Sequence, residues 1–200
     1  MGALRRIPCD YRIVSVSVRL ATAADNTDIL ELMAASRGDD LSEAERAERG
    51  FVQGTMDDDT LRRSESTTGV FVAEVDGAFG GFAITNRPGS FSAGPPKRTL
   101  DVATDKFPDA ALFLYGPAAV SRDVQGRGVL SALLIALSAH LSDRFDVGVA
   151  FVEGANAKSL SVHRHYGMIE AGTFQFHERE YVVFTFDVAE MAHRQNGGTP

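Results

Sequence analysis

Apolar and polar residues alternate over residues 15–21, where Val16, Val18 and Leu20 are separated by Ser17 and Arg19. That two-residue period predicts a half-buried strand. The period then lengthens. Ile29, Leu30 and Met33 share one face of a helix that a polar turn at 22–25 can cap, and Gly38-Asp39-Asp40 breaks it after about Arg37. Residues 41–49 (LSEAERAER) predict a charged helix with a capping box at Ser42 and Glu45, its charges forming a solvated face. A second short helix is predicted over 55–63, with Asp57-Asp58-Asp59 at the end where the helix dipole favours negative charge. No His or further carboxylate stands at ligand spacing, so these acids read as a cap rather than a metal site.

Further along, VFVAEV at 70–75 and FGGFAI at 79–84 flank Asp76-Gly77, a two-residue hairpin signal. Residues 86–110 contain Pro88, Pro95, Pro96 and Pro108 and are expected to form a long loop, functional or mobile. A strand at 111–120, a helix from about 126 to 142, a strand at 147–152 and a helix at 157–166 come next. Residues 169–176 and 181–187 form a last hairpin around His177-Glu178-Arg179, and the polar tail from His193 is expected to be disordered. No repeat or linker divides the chain. The reading is one α/β or α+β domain at 16–188, with an N-terminal arm at 1–15 and a flexible C-terminal tail at 189–200.

Composition narrows the classes. The 200 residues are 44% hydrophobic and 24% charged, enough for one sizeable core. Net charge is −7 and no run of basic residues exceeds two, which disfavours a nucleic-acid partner. No apolar stretch approaches the roughly 20 residues of a membrane helix, and the first residues show no signal-peptide pattern, so a cytoplasmic location is expected. The single Cys9 rules out an internal disulfide framework and a cysteine-rich metal site.

The stretch richest in chemistry is AAVSRDVQGRGVLSALLIALSAHL, Ala118 to Leu141. A strand ends at Val120, a polar turn follows, and Gln125-Gly126-Arg127-Gly128 opens a helix with Val129, Leu130, Leu133, Leu134, Leu137 and Leu141 on a buried face. The first turn of a helix has N–H groups without intrahelical partners, and glycines let another group approach them. Such a turn suits an anion, most naturally a pyrophosphate. A P-loop would need Lys followed by Ser or Thr after the last glycine, where Val129-Leu130 stands. A dinucleotide fold needs three glycines after the first strand, but here the glycines come past residue 120.

Residues Val120 to Val129 (VSRDVQGRGV) resemble the acyl-CoA motif of the GNAT superfamily of N-acyltransferases: Gln or Arg, two residues, Gly, one residue, then Gly or Ala. Gln125 and Gly128 match, Leu130 replaces the final small residue, and Arg122 stands where proline is frequent. Downstream, Asn156, Ser159, Val162 and Gly167 fall in register with the family's next element, a strand ending in Asn and a helix closed by Gly-aromatic, with Met168 for the aromatic. The resemblance covers about residues 18–187. It implies an α+β fold with a central mixed, mostly antiparallel sheet of about seven strands, about four flanking helices and a splayed parallel strand pair, here 112–120 and 147–152.

The resemblance further implies acetyl-CoA as co-substrate, no metal, and an amine acceptor. Ala118 and Val120 would give main-chain bonds to the pantetheine arm, while Gln125, Gly126, Arg127, Gly128, Val129, Leu130 and Ser131 would hold the pyrophosphate. Arg127 would add a cation there or face solvent, and Asn156 would bond the pantetheine amides, cap its helix, or both. The leaving thiolate is usually served by a Tyr where this chain has His163, so His163 is the expected acid or donor, with Tyr166 as its substitute or as a packed aromatic. The strand at 112–120 lacks the family's Glu, which leaves Glu153, His177, Glu178, Glu180 or ordered water as base. The acceptor pocket is expected from Arg49-Gly50-Phe51-Val52-Gln53 and the 86–110 loop, and the acidic balance mildly favours a cationic amine. Leu130, His163 and the missing Glu keep a second reading open, an acyl-CoA-binding module that has lost catalysis and acts as sensor or partner subunit. A homodimer is compatible with the resemblance.

Overall fold

The computed structural model describes residues 15–194; Cys9, the arm at 1–14 and the tail at 195–200 lie outside the described residues. The chain runs β1 (Val16–Leu20), α1 (Asn26–Ala35), α2 (Glu43–Arg49), α3 (Asp58–Glu65), β2 (Val70–Val75), β3 (Ala78–Asn86), α4 (Gly94–Lys106) and β4 (Leu112–Val120). It continues through α5 (Val129–Leu141), β5 (Val147–Glu153), α6 (Ala157–His165), β6 (Ile169–Phe176), β7 (Arg179–Asp187) and α7 (Val188–Ala192). The seven strands form one sheet in the order β1-β2-β3-β4-β5-β7-β6. All neighbours are antiparallel except β4 and β5.

Local chemistry explains most of the boundaries. Asp76 and Gly77 both take positive φ, 52° and 83°, as a tight turn matched to strand twist requires. Asp57 caps α3 by accepting from the Thr60 N–H at 2.8 Å. Ser42 and Glu45 make the expected reciprocal box at α2.

Alternation along the strands sorts side chains onto two faces. One carries Phe71, Phe113, Tyr115, Ala150, Val152 and Phe184 and is covered by α5, α6 and α7. There Leu133, Leu134, Leu137 and Leu141 of α5 are fully buried, each stabilising by roughly 2 kcal/mol. The other face carries Val70, Val72, Phe82 and Ile84 under α1 and α3, and Leu112, Val149 and Val183 under α4.

Three expectations need correction. Residues 86–110 are not a long loop, because Gly94–Lys106 is the helix α4. Proline is tolerated in a first helical turn, where no partner N–H is lost, and buried Thr99, Leu100 and Ala103 then supply the inward stripe. The expected tail begins too early, since Val188–Ala192 is a short helix with Val188 and Met191 buried against the α5 core. Finally, α5 starts at Val129 rather than near 126, because Gly126 and Gly128 hold left-handed φ of 76° and 79°. The described residues carry seven helices flanking the sheet, several of them short.

Candidate active site

The parallel pairing of β4 and β5 lasts for three positions, Leu112 to Leu114 against Val147 to Val149. Beyond it β4 carries a bulge at Gly116-Pro117, a cis peptide, so that Ala83 pairs with Ala118 but Thr85 with Tyr115. The strands part there and open a slit between the two faces of the sheet. The Ser121 N–H donates to Gly80 O at 2.9 Å, toward β3. By alternation the main-chain groups of Ala118 and Val120 turn the other way, into the slit. Gln125 Nε2 reaches back to Val120 O at 3.4 Å, closing the turn over the strand end.

A cleft of about 950 Å³ passes through the slit. It brings together Ala118, Val120, Gln125, Gly126, Gly128, Val129, Leu130, Ser131, Asn156, His163 and Tyr166, but not Arg127, which is exposed outside the lining. Gly128 is the N-cap of α5, no side-chain cap bond is made there, and Gly128, Val129, Leu130 and Ser131 of this first turn line the cleft. A Cβ built on Gly126 or Gly128 would meet nothing within 4 Å, which leaves room for a ligand to sit on the helix end. Leu130 does not fill that room; it packs against the core beneath α5.

Tyr166 follows α6 and stands beside this turn, near the Ser131 amide. Burial raises the phenol above its ordinary range, so it stays protonated at neutral pH. His163 lies against Phe184 and Tyr115, with ring centroids 5.1 and 6.3 Å away. Its Nδ1 is 2.8 Å from Ser159 O, and because a carbonyl only accepts, Nδ1 carries the proton. Burial lowers the His163 pKa, leaving a neutral ring whose single N–H is already used and whose Nε2 is an acceptor. The acid role expected of His163 therefore does not suit its environment.

Asn156 is also committed. Its Oδ1 accepts from the Ser159 N–H at 3.2 Å, the cap bond, and its Nδ2 donates to Phe51 O at 2.8 Å. The cap expected of Asn156 is therefore present, and the same side chain ties segment 50–54 to the start of α6.

Glu153, at the end of β5, lines the cleft with its carboxylate engaged on all sides. Gln53 Nε2 donates to it, Arg179 Nη1 stands 3.2 Å away and Arg46 Nη2 3.6 Å away. His177, Glu178 and Glu180 lie exposed on the last hairpin outside the lining, whereas Gly50, Phe51, Val52 and Gln53 line the cleft together with Asn86, Phe91 and Pro96 of the 86–110 segment. The side chain of Arg49 lies outside the described residues. Sequence reasoning missed Tyr115, Phe151, Lys158 and Arg194 in the lining, and the paired arginines on Glu153. Strands and helices remote in sequence bring these together, so no local spacing announces them.

The mixed seven-stranded sheet with its splayed parallel pair and the glycine turn below it is the fold of the GNAT acetyltransferases. No family model matches the chain, and no curated protein matches it. Solved structures do. An N-acetyltransferase from Staphylococcus aureus is 18% identical over 87% of this chain and 99% of its own, with a TM-score of 0.58. The ribosomal-protein-alanine N-acetyltransferase from Brucella melitensis is 20% identical over 86% and 99%, with a TM-score of 0.57. The Salmonella typhimurium protein yncA, solved with its cofactor acetyl-CoA, is 19% identical over 87% and 94%, with a TM-score of 0.59. At these identities the likeness is one of fold.

Proposed function

We propose that the protein is an N-acetyltransferase that moves an acetyl group from acetyl-CoA to a primary amine of a small molecule or peptide, by direct attack in a ternary complex. The observation that carries this is the uncapped N-terminus of α5, fronted by the open left-handed Gly126 and Gly128, at the mouth of the slit between β4 and β5. First-turn N–H groups of α5 would take the pyrophosphate. The main-chain groups of Ala118 and the Val120 N–H would pair with the pantetheine arm and place the thioester in the slit, while Val120 O is met by Gln125 Nε2. Bound there, acetyl-CoA supplies an activated acyl group.

Attack by the amine nitrogen forms the C–N bond and breaks the C–S bond. Two protons must move. The Tyr166 phenol, neutral and at the Ser131 amide, is the donor we assign to the departing thiolate. The proton lost by the amine goes to His163 Nε2 or to water, since the Glu153 carboxylate is held by Gln53, Arg46 and Arg179. His163 is thus an acceptor in this scheme. Arg127 has no assigned role, and Asn156 positions the acceptor wall rather than the cofactor arm.

Calorimetric titration with acetyl-CoA, with ATP and NAD as controls, tests the site, and thiol release on adding amines tests the reaction. Micromolar binding of acetyl-CoA alone, followed by amine-dependent thiol release, is expected. Binding of ATP or NAD instead overturns the reading. Binding of acetyl-CoA with no release by any amine would make the protein an acyl-CoA-binding module.

A further inference from the structure

The slit leads from the α5 face to a chamber on the opposite face, walled by α1, the 50–56 segment and the loop before α4. Its apolar walls are Met33, Phe51, Met56, Phe91 and Phe151, with Asn86 buried at the base. Glu153 is the one charged group among the described residues lining this side, and its oxygens are already met by Gln53, Arg46 and Arg179. The other charged lining groups, Lys158 and Arg194, belong to α6 and the chain after α7. Arg194 is itself bonded to Tyr166 O and paired with Glu190 at 3.2 Å.

We infer that the acceptor is a monoamine carried on an uncharged, mainly apolar body, an alkyl or arylalkyl amine, and not a polycation or a carboxylate-bearing amino acid. The inference rests on the acyl-transfer reading above and names the substrate class of the same site. A second ammonium entering the chamber would lose its water against Met33, Met56 and the three phenylalanines with no free carboxylate to meet it. A carboxylate would lose its water as well, because the two nearby guanidiniums already face Glu153 and Lys158, packed beside Gly50, is exposed at the start of α6. The apolar body, by contrast, gains from every contact with those walls. Asn86 offers a polar contact at the base. Ser64 Oγ donates to Asn86 Oδ1 at 2.9 Å, which fixes that amide and leaves its NH₂ as a donor for a neutral oxygen on the body. The nucleophilic nitrogen itself must arrive, or become, neutral at the slit, where it loses one proton as the C–N bond forms.

The test is thiol release from acetyl-CoA by the full chain with 2-phenylethylamine and isoamylamine, against spermidine and against glycine and lysine, with acetyl-CoA binding measured in parallel by calorimetry. Apolar monoamines are expected to exceed the charged amines by about 100-fold in kcat/KM, the penalty of one unpaired buried charge. The variant Phe91→Asp, on an exposed-edge loop, adds a carboxylate to the chamber and should lower phenylethylamine turnover while raising that of spermidine at least about tenfold. Acetyl-CoA binding with spermidine or an amino acid preferred, or with no amine turned over, overturns the substrate class and leaves the cofactor site intact. Absence of acetyl-CoA binding overturns the acyl-transfer reading, and this inference falls with it.

Discussion

Replacing Asn156 by alanine separates what the fold does with this side chain from what the sequence resemblance implies. Asn156 is 3% exposed and makes two bonds, one to the Ser159 N–H and one to Phe51 O. The lost helix cap costs about 1 kcal/mol. Phe51 O loses a good partner in a part-buried setting, about 1 kcal/mol more, with a further desolvation cost if no water replaces it. We expect Asn156→Ala to lower stability by about 2 kcal/mol in urea denaturation, with the m-value unchanged. Asn156→Ser restores a capping oxygen but cannot reach Phe51, so it should recover about 1 kcal/mol and no more. The kinetic signature is more specific. Phe51 and Gln53 wall the acceptor side, so both variants should raise the KM for the amine severalfold and leave acetyl-CoA affinity within about twofold of the parent. If acetyl-CoA affinity collapses while the amine KM holds, Asn156 binds pantetheine and the clamp reading is wrong.

Three further outcomes follow from the site. Tyr166→Phe should reduce kcat by about 100-fold with acetyl-CoA affinity nearly unchanged, whereas an unchanged kcat would refute the donor role of Tyr166. The half-buried His163, partly desolvated, resists a proton that the unfolded chain binds near pH 6.5, so its contribution to stability is complete above that pH and is lost below it. His163→Gln should remove a slope of up to about 1.4 kcal/mol per pH unit from stability curves below pH 6.5, and a parent curve flat in that range would refute the burial argument. Gly128→Ala should cost about 1 kcal/mol for its left-handed φ of 79°, without any clash inside the protein. A rise in acetyl-CoA Kd of more than about tenfold beyond that would place the ligand over this turn, and unchanged binding would exclude it there.

Much of the architecture could be read from local pattern. Alternation gave β1 and the 70–84 hairpin, and the three- and four-residue spacing of Leu133, Leu134, Leu137 and Leu141 gave α5, because those periods are set by backbone geometry alone. The glycines at 126 and 128 marked the turn before α5 for the same reason: a left-handed φ is a property of a single residue. Prolines misled the reading of α4, since their placement in a first turn rather than an interior is what decides whether a helix survives.

Side-chain roles were a different matter. That Asn156 faces Phe51, that the His163 N–H is spent on Ser159, that Tyr166 lies at the Ser131 amide and that Glu153 is flanked by Arg46 and Arg179 are all consequences of which atoms meet. A sequence fixes the residue and its periodic face. Whether a donor is free or used, and whether a carboxylate is a base or half of an ion pair, depends on neighbours delivered by distant strands and helices. The tertiary structure alone decided which groups in the cleft are free and which are already paired, Glu153 among them.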